Sequence, residues 1–255
     1  MQLKNVYEQI DALAPFELSK EYCDTYKFYD NSGVILDCGG DVKGVLCSLD
    51  LSLRAVEEAK KAGANCIVTH HPAIYRPVSS LKQGSAVLAC AQAGISVISA
   101  HLNLDSAAGG IDEELMLGLG GISGRSMHVL TDGNYGKVFN VTEEPLAAFA
   151  ARVKARFQTE RVVVYGGRNV GKVASFCGAG MDDETVAFAL AEGADTFVSS
   201  DGKHHLIATL VENDVNVVLL THYAAENYGF VRFAENLKTK LKGLPVTVFT
   251  DERLL

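Results

Sequence analysis

An α/β architecture with largely parallel strands follows from three observations on the 255-residue chain. Short β-branched runs alternate with helix-period stretches almost throughout, the clearest helix carries its own start and stop signals, and two strand–helix–strand stretches share one pattern. With 48% hydrophobic residues, the chain can bury one large core or two modest ones.

Strands are expected at 34–37 (VILD), 42–50 (VKGVLCSLD), 65–69 (NCIVT), 95–100 (ISVISA), 136–142 (GKVFNVT), 161–166 (RVVVYG), 172–178 (KVASFCG), 195–200 (DTFVSS), 215–221 (VNVVLLT) and 245–250 (PVTVFT). Helices are expected between them at 52–62, 83–93, 145–157, 183–193 and 224–242, and the N-terminal MQLKNVYEQIDALAP also spaces its apolar residues helically. In the helix after Asp50, Ser52 is the cap, Glu57 and Glu58 pair with Lys61, Gly63 is the stop, and Leu53, Val56 and Ala59 form the face toward the sheet.

Two stretches, VLCSLDLSLRAVEEAKKAGANCIVTHH and VASFCGAGMDDETVAFALAEGADTFVSSDGKHH, each run strand, acidic helix start, helix ending at a glycine, strand, paired histidine. They suggest two related domains, although a common βαβ grammar produces much of the likeness by itself. GGISGRSMHVLTDGNYG, residues 120–136, is rich in glycine and polar residues and reads as the crossover between domains.

Composition narrows the function classes. A net charge of -8 without a dense Lys/Arg cluster argues against a nucleic-acid partner. No stretch is apolar for long enough to span a bilayer, and the N-terminus lacks the apolar core of a signal peptide, so a cytoplasmic protein without a membrane partner is expected. The cysteines at 23, 38, 47, 66, 90 and 177 have no CxxC spacing and read as buried, reduced thiols.

Six of the seven histidines fall where strands end: His70 and His71 after NCIVT, His101 after ISVISA, His204 and His205 after DTFVSS, and His222 after VNVVLLT. Open α/β sheets build their sites there. Adjacent side chains on a strand point to opposite faces, so His70 and His71 share a target only if the strand has ended, and Pro72 says that it has. Asp105, Asp201 and Glu226 accompany them, and a helix starting at the strand end puts His222 and Glu226 on one face. Taken singly, each has an ordinary explanation: a surface imidazole, an Asx turn at Asp105, a first-turn helix charge at Glu226. Together they form a nitrogen and oxygen donor set suited to Zn, Fe, Mn, Co or Ni, with more donors than one tetrahedral ion can use.

The stretches YDNSG (29–33), SLDLSLRAVEEA (48–59), IVTHHPAIY (67–75), AHLNLDSAAGGID (100–112), GADTFVSSDGKHH (193–205) and THYAAENYG (221–229) resemble the motifs of the Ngg-interacting-factor-three-like proteins, the GTP cyclohydrolase 1 type 2 homologs. The resemblance implies two divalent metal ions per chain, held by His70, His71, Asp105, His222 and Glu226 with Glu226 as the bridge. It makes His101 and His205 the proton-transfer residues and sets Asp201 in the same cleft. The fold it implies is two interlinked three-layer α/β domains, with the metal site in the cleft between them, assembled as a homohexamer. The domains are expected at 1–125 plus 220–255 and at 126–219.

The implied activity is that of a metal-dependent hydrolase opening the ring of a purine nucleotide, GTP, with a metal-activated hydroxide. The alternatives are a phosphoesterase using the same metals and a non-enzymatic metal-binding scaffold or regulatory hexamer. The chain departs from the family pattern at Tyr29 (usually Trp), Leu102 in HLNLD (usually Thr), the GGIDE sequence and Thr221 (usually Gly), none of them a metal ligand. No G-x-x-x-x-G-K-[ST] loop is present; Arg76, Lys137 and Lys203 read as surface residues first and phosphate contacts second.

Overall fold

Residues 1–255 are all described by a computed structural model, in which the expected alternation becomes two sheets and ten helices. One compact unit comprises Met1–Ala107 and Phe230–Thr250, the other Ala108–Gly229 and Asp251–Leu255. In chain order the first holds α1 (Leu3–Asp11), α2 (Phe16–Tyr26), β1 (Gly33–Leu36), β2 (Val45–Ser48), α3 (Leu53–Lys61), β3 (Cys66–Thr69), α4 (Ala86–Ala93), β4 (Ser96–Ser99) and α5 (Leu102–Ser106). The second holds α6 (Ile111–Gly118), β5 (Arg125–Val129), β6 (Asn134–Pro145), α7 (Leu146–Phe157), β7 (Val163–Tyr165), β8 (Asn169–Ser175), α8 (Asp183–Ala191), β9 (Thr196–Ser199), α9 (His204–Glu212) and β10 (Asn216–Leu219). The boundary then falls inside α10 (His222–Lys240), and β11 (Val246–Phe249) returns to the first unit.

In the first sheet the order is β1-β4-β3-β2-β11, parallel except for β1 against β4. Its central strands VLCS, CIVT and SVIS are buried at every position, as strands covered on both faces must be. Helix α3 packs Ala55, Val56 and Ala59 against Leu46, Ile67 and Val97. Full burial of a side chain the size of Ile67 stabilises by roughly 1.5–3 kcal/mol. The Ser52 hydroxyl accepts from the Ala55 amide and Gly63 follows the helix with φ +66°. Two details differ from expectation. Leu53 is exposed, Ala55 facing the sheet in its stead, and Glu57 pairs with Lys60 while only Glu58 pairs with Lys61, both at i,i+3 spacing.

The second sheet is mixed, in the order β5-β6-β8-β9-β10-β7, with only β8-β9 and β9-β10 parallel. Phe176 and Phe197 stack at 5.1 Å in its core, with Leu210 and Val217 around them. The segment 120–136, expected as a crossover, instead contains the hairpin β5–β6, closed where the Leu130 amide donates to the Gly133 carbonyl. RSMHV is an edge strand with a single β-branched residue, so its polar sequence masks its conformation.

Residues 108–125, 220–229 and 251–255, expected in the first domain, group with the second unit. Asp112 of α6 explains the first of these, because its carboxylate accepts from Lys137 Nζ (2.7 Å) and from the Gly136 and Cys177 amides. Gly229 explains the second: a Cβ there would lie 2.9 Å from the Ile111 backbone, so only glycine allows α10 this close to α6. Lys137 is thus buried in an ion pair and is no surface residue. Four of the six cysteines are buried, and burial holds the Cys66 thiol up at about 12, unreactive at neutral pH. No helix is long and apolar enough to cross a membrane.

Candidate metal centre

Strand β3 ends at Thr69, and the amides of His70 and His71 both donate to the Leu49 carbonyl at 3.1 Å. The backbone has stopped alternating there, so the two rings share a side, with centroids 4.8 Å apart. The ring of His101, directly after β4, lies 5.1 Å from that of His70 and 5.8 Å from that of His71. One nitrogen from each of these three imidazoles lies within 4.8 Å of the others, a group able to hold a metal ion. Asp105 sits on α5, one turn beyond His101, with its Oδ1 3.5 Å from His70 Nε2. That short helix is anchored by Asn103, whose amide donates to the Ala14 carbonyl.

The orientation of each ring is fixed from behind. His70 Nδ1 faces the Ala100 carbonyl at 2.9 Å, His71 Nδ1 faces Asp50 at 2.7 Å, and His101 Nδ1 faces Asp30 at 2.8 Å. An acceptor at Nδ1 puts the proton there and leaves Nε2 with its lone pair, the arrangement of a ligating imidazole. The Asp30 side chain is only 1% exposed and also accepts from the hydroxyls of Ser19 and Ser32. Burial alone would raise its pKa, but the His101 contact and the two hydroxyls outweigh burial and bring it to about 2. Burial pulls His101 the other way, and the neighbouring Asp30 and Asp105 overcome it, so its pKa is raised.

In the second unit His222 opens α10 just past β10, and its Nε2 lies 3.1 Å from Glu226 Oε1, the i,i+4 pair expected from sequence. Asp201, just past β9 and held at φ +48°, meets His222 Nδ1 at 2.6 Å, so this fourth ring is oriented as the others are. Thr221 explains its own departure from glycine. Its hydroxyl accepts from the Ala224 amide and caps the helix that carries both donors. Gly178 has φ +63°, and a Cβ there would lie 2.6 Å from Glu226 Oε1, so the turn after β8 leaves room for the carboxylate.

His204 and His205 are exposed in the first turn of α9, and no ring contact joins either to this group. Sequence reading missed Asp50 as the partner of His71, Asp30 as the partner of His101 and Gly178 beside Glu226. Asp50 lies in SLDLSLRAVEEA and Asp30 in YDNSG, and a carboxylate next to a strand end was the available signal. Imidazole nitrogen combined with carboxylate oxygen suits Zn, Fe, Mn, Co or Ni, so the residues fit such ions.

The chain is 27% identical over 252 residues to a Clostridium perfringens protein named GTP cyclohydrolase 1 type 2 homolog, covering 94% of this chain and 93% of that one. Among solved structures, reduced HcgD from Methanocaldococcus jannaschii matches with a TM-score of 0.81 at 25% identity over 98% of each chain. A Bacillus cereus protein related to NIF3 matches in fold, with a TM-score of 0.82 at 18% identity over 99% of this chain and 97% of that one. A family model extends this likeness over residues 1–253, every donor named above included, and the chain belongs to the Duf34/NIF3 (NGG1p interacting factor 3) family.

Proposed function

We propose that this chain is a hydrolase that works with two divalent metal ions, held by His70, His71, Asp105, His222 and Glu226 with Glu226 as the bridge, and that it opens the ring of a purine nucleotide. The observation that carries the reading is the set of four imidazoles, each with Nδ1 against an acceptor, the orientation that a ligating ring takes. The substrate class comes from the name of the Clostridium perfringens relative.

Bound there, divalent ions would supply Lewis acidity and bring the pKa of a water from about 15.7 toward neutrality. The chain's own residues do the rest. Asp30 holds His101 with Nδ1 protonated, so that Nε2 is the atom that takes and returns a proton. His205, exposed on α9, is the second proton-transfer candidate. Asp50 and Asp201 keep the rings of His71 and His222 from turning. The same reading has the protein act in the cytoplasm on a small molecule, as a homohexamer without nucleic-acid or membrane partners, consistent with its net charge of -8.

The test is metal content by mass spectrometry on protein purified without chelator or His tag, beside GTP turnover by the wild type and by Glu226→Gln. About two ions per chain, with turnover abolished in the variant, is the expected result. Metal in full measure without turnover of GTP or of a phosphoester would favour the scaffold, and absence of bound metal would overturn the reading.

A further inference from the structure

Beside His101 lies a feature that metal binding does not use. The Tyr75 ring stands edge-on to the His101 imidazole at 6.2 Å, and Tyr29 meets Tyr75 at 5.5 Å with the rings nearly perpendicular. Both tyrosines are exposed, at 44% and 38%. The Tyr75 hydroxyl donates to the Tyr29 carbonyl at 2.9 Å and the Asn31 side-chain amide donates to the Ile74 carbonyl at 2.5 Å, so the two segments are tied together. Over both rings lies the Arg76 guanidinium, 4.8 Å from the centre of Tyr29 and 5.7 Å from that of Tyr75.

This geometry leaves something unused. A guanidinium held over aromatic rings by cation–π attraction still carries its N–H donors, the fork that matches a carboxylate or phosphate. Arg76 makes no ion pair with any carboxylate of a chain that carries 31 of them, so that fork is open to an anion from outside. Two exposed rings at right angles give a planar ligand one face to stack on and one edge to abut. The stretch 70–85 between β3 and α4 has no regular structure, and it exposes Val78 and Leu81 as well as Tyr75. Loops longer than about 12–15 residues without regular structure are usually functional or disordered, and this one is ordered around Tyr75.

We infer that Tyr29, Tyr75 and Arg76 form a recognition platform for a planar aromatic ring bearing an anionic group, the tyrosines taking the ring and Arg76 the anion, with the ring presented to His101. The inference rests on the proposed hydrolase reading for its substrate class, since a purine nucleotide has both parts. It assigns the anion to Arg76, where the sequence offered no phosphate loop.

The experiment is calorimetric titration of the full-length, metal-bearing protein with GMP, guanosine and ribose 5-phosphate, comparing wild type with Arg76→Gln and Tyr75→Ala. GMP is expected to bind the wild type, and Arg76→Gln to weaken GMP by at least about tenfold while leaving guanosine unchanged. Tyr75→Ala is expected to weaken GMP and guanosine alike while leaving ribose 5-phosphate unchanged. Equal GMP affinity in wild type and Arg76→Gln, or no GMP binding to the wild type, would overturn the platform. Metal content measured on the same samples separates the two ideas, because loss of the platform leaves the ions in place and failure of the metal reading shows as metal-free wild type.

Discussion

The stretches β2-α3-β3 and β8-α8-β9 have the same grammar and opposite outcomes. Each is a pair of parallel strands joined by a side-chain-capped helix, Ser52 in one and Asp182 in the other, and each is followed by paired histidines. After β3 the pair comes at once, His70 fully buried and both rings held, by the Ala100 carbonyl and by Asp50. After β9 the chain first makes the turn of Ser200–Lys203, and His204 and His205 then open an exposed helix. The residue of that second strand end that meets a candidate ligand is Asp201, against Nδ1 of His222 from the next strand end over. A strand-end histidine thus becomes a ligand candidate when a neighbouring strand end supplies an acceptor for its Nδ1.

The largest effect that could break this contrast is loss of metal. His70→Ala and His222→Ala are expected to abolish binding, and His204→Ala and His205→Ala to retain the wild-type content, measured as ions per chain after gel filtration. Depletion by His204→Ala comparable with that by His70→Ala would mean that the pattern, and not the orienting acceptor, selects the ligands.

Next comes buried charge used for packing instead of ligation. Lys137 and Asp112 face each other in the second unit at 2.7 Å with at most 6% exposure. Lys137→Met leaves the Asp112 carboxylate buried without its cation, a change that costs about 3–5 kcal/mol. Urea unfolding should read that loss with the metal content unchanged. A cost below about 1 kcal/mol would show that the Gly136 and Cys177 amides suffice to hold the carboxylate.

Smaller again is the effect of the orienting carboxylates. Asp50→Asn and Asp201→Asn keep the shape and remove the charge behind His71 and His222, and each is expected to weaken metal affinity by about 10–100-fold. Competition with a chromophoric chelator measures it. If both variants matched the wild type, the acceptor at Nδ1 would be incidental.

Much of this was legible in the sequence, for definite reasons. VLCS, CIVT and SVIS read as strands because burial on both faces demands unbroken apolar runs, and His222 with Glu226 read as a pair because four residues make one helical turn. What escaped was whatever depends on contacts remote in the chain. RSMHV is a strand only because β6 pairs with it, α6 is placed by the contact of Asp112 with Lys137, and Asp30 meets His101 across 71 positions. Leu53 fits the apolar face by spacing and is nevertheless exposed, because the buried face is centred on Ala55, Val56 and Ala59 and Leu53 lies at its rim.

The finest test of the contrast is titration, since an imidazole whose pKa is governed by the carboxylate behind it and one whose pKa is governed by burial should move in opposite directions. His101 has its pKa raised, burial being outweighed by Asp30 and Asp105; His128, buried on β5 and stacked with Tyr135, has its pKa lowered by burial against the weaker pull of Glu184, Asp182 and Asp112. The signs follow by linkage. The raised pKa of His101 contributes stability that is complete below the ordinary imidazole value and is lost as pH rises through the folded one. The lowered pKa of His128 contributes stability present above the ordinary value and lost as pH falls through the folded one. Ring-proton NMR on chelated protein should find His101 titrating above 6.5 and His128 below it. Asp30→Asn should bring His101 down and leave His128 where it was. A wild-type His101 titrating below His128 would mean that burial, and not the carboxylate behind the ring, governs the cluster.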